Sequence, residues 1–132
     1  MDPFLQEVER LGVPLHIHDG TPPYSTAMQI AYQAARYPKI RFVLGHAGLR
    51  DFWREDLQAA QAYSNIMLNL NAPFLGNLTI VRELKGERVV FGSDFPWGGV
   101  QVLEYWLGHI LELPVEDHIK ERILWDNAQV LM

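Results

Sequence analysis

The chain contains no cysteine. Disulfides, thiolate catalysis and sulfur-ligated zinc are therefore excluded, and any metal site must draw on histidine nitrogen and carboxylate oxygen. A basic run is also missing: eleven Lys and Arg stand against sixteen Asp and Glu, for a net charge of −5 and a pI near 5.4. With nothing to neutralise phosphates, nucleic acid is not an expected partner. No stretch reaches the roughly 20 apolar residues of a membrane span. The opening MDPFLQEVER offers neither the basic nor the apolar region of a signal peptide, so a cytoplasmic protein with no membrane partner is expected. Length is short too. The 132 residues suit a single domain over residues 1–132, whereas a closed (β/α)8 barrel takes about 250.

What is present is enough apolar material for a core, at 48% of residues, and a regular pattern in it. Four apolar runs begin at residues 13, 40, 65 and 88, spaced by 27, 25 and 23 residues. They are nearly continuous in Ile, Val, Leu and Phe, which suits strands covered on both faces of a parallel sheet. Between them, residues 25–37, 51–63, 74–84 and 102–113 have helical character, the first of these stopped by Pro38. Residues 3–11 predict a helix before the first strand, and Pro114 opens a terminal helix. The order is helix, four βα units and a closing helix, which implies right-handed crossovers and one parallel sheet.

In such a protein the loops at the carboxyl ends of the strands converge on one face, and chemistry gathers there. Three of the four strands end in a group able to bind metal or move a proton: HIHDG with His16 and His18, LGHAG with His46, and FGSDFP with Asp94. Residues two apart on a strand share a face, so His16 and His18 point the same way. His46 lies between Gly45 and Gly48, whose missing side chains let backbone or ligand approach closely. A carboxylate at the end of a buried strand, as at Asp94, is costly unless paired or bound to a cation; an N-cap or turn role is the competing reading for it.

PLHIHDG, FVLGHAG, RVVFGSDFPWG and the ending ILWDNAQVLM together resemble the carboxyl-terminal half of an amidohydrolase-related protein. The branch is the one that includes aminocarboxymuconate-semialdehyde decarboxylase, γ-resorcylate decarboxylase and related lactone hydrolases. The resemblance runs from about Leu11 to Leu131. It implies an α/β fold, an incomplete (β/α)8 TIM barrel with four parallel βα units standing for strands five to eight plus a terminal helix. It further implies that His18 is a metal ligand and that His46 positions or activates water or substrate. Asp94 would be both metal ligand and proton acceptor, and the third strand would supply no ligand. The implied cofactor is a divalent metal, zinc first and manganese second. The implied activity is hydrolysis of a small carboxylated, amide or lactone substrate by activated water, with decarboxylation as the alternative. A non-catalytic fragment or binding module is the reading from another class.

One element of the family pattern is missing: the HxH on strand one that supplies two further ligands. The His16-Ile17-His18 context matches strand five better, which leaves His16 without an inherited role. The absent ligands would come from an amino-terminal half-barrel or from a second copy of the chain. Arg50 and Trp97 are weaker candidates for contact with substrate, each weighed against a surface or loop-packing role. His109 and His118 are expected to face solvent, and Asn127 to cap the last turn. Phe52, Trp53, Tyr63, Tyr105 and Trp106 are expected to pack in the core or between helix and sheet.

Overall fold

A computed structural model describes residues 2–71 and 75–132. The elements run α1 (Pro3–Leu11), β1 (Leu15–Ile17), α2 (Ala27–Arg36), β2 (Phe42–Leu44), α3 (Trp53–Ala62), β3 (Ile66–Leu70), α4 (Asn77–Glu83), β4 (Val89–Phe91) and α5 (Gly99–Leu111). The closing segment is α6 (Asp117–Glu121), a π-helical turn (Arg122–Asp126) and α7 (Asn127–Gln129). Each expected strand and helix is present. The helix read over residues 74–84 begins at Asn77, and Phe74 lies outside the described residues. The helix read from residue 102 starts three residues earlier, behind Gly98 in the left-handed region at φ 70°. The single closing helix is broken instead by the π turn, which sends Ile123 into the core and leaves Trp125 outside.

Local chemistry explains the helix limits. The Asp2 carboxylate accepts the Phe4 N–H at 3.0 Å, Pro3 opens α1, and Gly12 closes it at φ 68°. At the start of α2, Gln29 Oε1 accepts the Thr26 N–H at 3.0 Å, one arm of a capping box.

All four strands are parallel and lie in chain order, β1-β2-β3-β4. Every residue of β2 and β3 is buried, as the unbroken apolar runs require. One side of the sheet packs Phe42, Leu44, Ile66, Leu68 and Val89 against the helices. The other carries the smaller cluster Val43, Met67 and Val90, against which Leu131 packs.

Side chains just ahead of the strands satisfy carbonyls that helix ends leave open. Asn65 Nδ2 donates to Ala34, Tyr37 and Ile40 oxygens at 3.0–3.2 Å. The Arg88 guanidinium donates to the carbonyls of Ala60, Tyr63 and Ile66. Asn127 does the same for the entry to β4, donating to Gly86 and Val89 oxygens at 2.7 Å each. It therefore ties the carboxyl-terminal segment to the sheet rather than capping its own helix. These ties fix how each strand enters, and hence where each strand's far end delivers its side chain.

Two other expectations fail. His109 does not face solvent: its Nε2 is buried without a partner among the described residues, while His118 is exposed as expected. Tyr105 does not join the packing; it is 65% exposed on α5. The exposure of Tyr105 follows from α5 burying one residue of its thirteen, Ile110. Phe52, Trp53, Tyr63 and Trp106 are partly buried, and Trp53 and Tyr63 pack on the core.

Candidate active site at the strand ends

The first fixed point is a residue the motifs passed over. Asp19, directly after His18, is fully buried, and its two oxygens accept the backbone N–H groups of His46 and Gly48 at 2.6 Å each. The backbone turns left-handed over Ala47, Gly48 and Leu49, with φ of 47°, 79° and 53°. Such a turn aims successive N–H groups at one anion. A side chain at position 48 would meet the Phe52 carbonyl at 2.4–2.5 Å, so the turn requires glycine there. Asp19 thus locks the loop carrying His46 to the end of β1.

Beneath that lock lies a second buried acid, Asp56 on α3. As a carboxylate it has no hydrogen-bond donor for either oxygen. Burial, then the hydrogen bond to Asp19, then the charges of Asp19 and Glu55 push its pKa up to about 10. Protonated, Asp56 donates to Asp19, whose own oxygens already take two N–H groups. Asp56 therefore stays protonated around neutral pH.

His46 is held on three sides. Its backbone N–H is bound by Asp19, the Asn71 amide nitrogen faces its Nδ1 at 2.6 Å, and its Nε2 lies 3.2 Å from His18 Nδ1. The amide donor at Nδ1 leaves the ring hydrogen on Nε2, aimed at His18. The Tyr24 ring also lies against His18, tilted by 37° with centroids 4.0 Å apart. Two residues back on the same strand face, His16 places its Nε2 3.4 Å from the Asn69 amide. Burial and, next, the neighbouring His46 hold the His16 pKa below the ordinary imidazole value.

His16, His18, His46, Asn69 and Asn71 line one open cavity of about 340 Å³, together with Gly45, Gly92, Ser93, Asp94 and Phe95. The two glycines are spaces: a Cβ on Gly45 would sit 3.0 Å from His16 Nε2, and one on Gly92 would sit 2.4 Å from Asn69 Oδ1. Asp94 reaches the cavity from a left-handed turn after β4, at φ 53°, and is exposed. The structure therefore brings His18, His46 and Asp94 to one cavity and adds His16, Asn69 and Asn71. It does not bring Arg50 or Trp97 there: both are exposed and neither lines the cavity, whose rim is Phe95. Asn69 and Asn71 had a legible signal, since they share a face at the end of the third strand. Asp56 had none, because its helix neighbours Arg54 and Glu55 read as a solvated face.

The donor set suits a divalent cation in type, with imidazole nitrogen and carboxylate oxygen on one cavity. It falls short in number. Among the described residues no three His, Asp or Glu groups are close enough to hold one ion.

A model of the amidohydrolase family matches residues 1–131. The chain belongs to this amidohydrolase family. Among curated proteins no sequence match is found. Solved structures do match. A TIM-barrel protein from Bordetella bronchiseptica superposes with a TM-score of 0.79 at 20% identity, over 98% of this chain and 48% of its own. A 5-carboxyvanillate decarboxylase from Sphingomonas paucimobilis gives 0.64 at 16% identity, over 98% and 53%. A dihydroxybenzoic acid decarboxylase from a Polaromonas species, solved with manganese and the inhibitor 2-nitroresorcinol, gives 0.62 at 19%, over 98% and 52%. The amidohydrolase chain thus spans about half the length of the structures it matches, and its fold is a partial TIM barrel.

Proposed function

We propose that this chain supplies one half of a metal-dependent amidohydrolase-type active site acting on a small carboxylated, amide or lactone substrate. The observation that carries the reading is the convergence of His18, His46 and Asp94 from three different strand ends on one cavity. In this reading His18 and Asp94 hold a divalent ion together with ligands from outside the single chain. Zinc suits the nitrogen and carboxylate donors, and the manganese in one solved relative makes it the second choice. When bound, such an ion supplies Lewis acidity and lowers the pKa of water toward about 7.

The chain's own residues divide the remaining work. His46, anchored by Asp19 and Asn71, turns its Nε2–H, which rests on His18 Nδ1 in the free chain, to a substrate oxygen as negative charge develops on it. Asp94, exposed at the mouth, accepts the proton released by the attacking water. Phe95 and the glycine-lined floor leave room for a small planar or cyclic substrate. Decarboxylation is the second reading, favoured by the two decarboxylases among the matched structures. There the same ion would grip the substrate's carboxylate or hydroxyl.

Titration of the purified chain with Zn²⁺ and Mn²⁺ tests the assignment. Weak binding that both His18→Ala and Asp94→Asn diminish is expected. Stoichiometric binding unchanged in both variants overturns it.

A further inference from the structure

His16 and Asn69 line the cavity but have no task in the function proposed above. Each lies two residues back along its strand, from His18 and from Asn71, on the same face. They therefore form the floor of the cavity. Their register partners are Val43 and Val90, which with Met67 make an apolar cluster beside and below them. The spaces left by Gly45 and Gly92 admit the two side chains.

A polar pair on an apolar base is costly. Asn69 is 8% exposed, and its Oδ1 has no hydrogen-bond partner among the described residues. Its Nδ2 reaches His16 Nε2 only at 3.4 Å, the long limit of a hydrogen bond. A buried acceptor without a donor costs stability that a leucine of similar shape would not. Asn71, by contrast, uses its amide nitrogen to hold His46. An amide with no such structural return points to a ligand that satisfies it.

The hydrogen inventory of the floor identifies the ligand group. With Asn69 donating to Nε2, His16 keeps a hydrogen on Nδ1 and Asn69 keeps a free oxygen. With the amide turned and the ring hydrogen on Nε2, the Asn69 NH2 becomes the free donor and His16 Nδ1 the free acceptor. Either arrangement leaves both a donor and an acceptor, and both are neutral. A hydroxyl serves either one, donating to the acceptor or accepting from the donor. A carboxylate only accepts and would meet no cation, since no Lys or Arg among the described residues lines the cavity. An ammonium group only donates.

We propose that His16 and Asn69 are specificity-determining residues that read a hydroxyl group on the substrate. The terminal torsion of Asn69 is soft and its contact to His16 is long, so the amide turns its oxygen to the arriving O–H. The floor's role rests on a small substrate entering this cavity, as proposed above. It needs neither the ion nor a choice between hydrolysis and decarboxylation.

Small ring compounds test this on the 132-residue chain without metal or turnover. Phenol donates and accepts, whereas anisole and benzoate only accept. In ¹H–¹⁵N spectra near neutral pH, phenol is expected to shift the Asn69 side-chain NH2 signals. It should bind about tenfold more tightly than anisole or benzoate, the worth of one hydrogen bond. Asn69→Leu and, separately, His16→Leu are expected to abolish that preference. Asn69→Leu should also keep or raise the urea midpoint, because the unpartnered oxygen goes with it. A midpoint that falls makes the amide structural and overturns the proposal. Phenol held no better than the other two, or a preference that survives either substitution, overturns the hydroxyl-reading floor and leaves the cavity a substrate site. If no probe shifts a cavity residue, or shifts centre on Met28 and Phe52 in the groove between α2 and α3, the floor and the substrate cavity both fall.

Discussion

Replacing Asp56 by asparagine probes the buried acid pair that carries the loop of His46. In the folded chain Asp56 titrates near pH 10, chiefly because burial disfavours its charge; unfolded, it titrates near 4. A folded pKa above the unfolded one means that the stabilising contribution is complete below about pH 4 and fades as pH rises toward 10. Within that window the folded state holds one more proton than the unfolded state. Each pH unit therefore removes up to about 1.4 kcal/mol, so pH 5 to 8 could cost as much as ~4 kcal/mol. Asparagine fills the same volume and brings its own N–H to Asp19 at every pH. Asp56→Asn is expected to match the wild type near pH 5 within ~1 kcal/mol and to exceed it by about 1–3 kcal/mol at pH 8. Urea unfolding at half-unit pH intervals gives the two curves, and their difference removes every other titrating group. Parallel curves would show that Asp56 does not carry the proton.

Two further substitutions test the supports around the site. Asn71→Ala removes the donor at His46 Nδ1 and is expected to cost about 1–3 kcal/mol. Imidazole ¹⁵N shifts should change from a single Nε2–H form to a mixture, and unchanged shifts would show that Asn71 does not set the ring. Gly12→Ala and Gly48→Ala share a left-handed backbone, at φ 68° and 79°, but only at position 48 does a Cβ strike neighbouring backbone. The first should cost about 1 kcal/mol and the second at least ~2 kcal/mol more; equal losses in urea midpoint would refute the close-packed loop.

The fold was legible because each apolar run is unbroken and each is separated by a helix-length segment, a pattern that serves little but a parallel sheet. His18, His46 and Asp94 were legible for a related reason: each is a chemical group standing where an apolar strand stops. What stayed hidden depends on register between strands. Asp19 matters because β1 ends level with the loop after β2, and Asp56 because α3 turns it inward; neither fact is written in local sequence. Arg50 and Trp97 stood out by chain distance from His46 and Asp94, yet the turns that follow those residues carry both side chains outward.

The central claim is that a divalent ion belongs at the strand ends of β1 and β4. Imidazole proton spectra recorded with increasing Mn²⁺, which broadens nearby signals, test it most directly. The account predicts that His16, His18 and His46 broaden first while His109 and the exposed His118 stay sharp, and that Asp94→Asn suppresses the effect. Uniform broadening of all five histidines, or broadening led by His118, would contradict it.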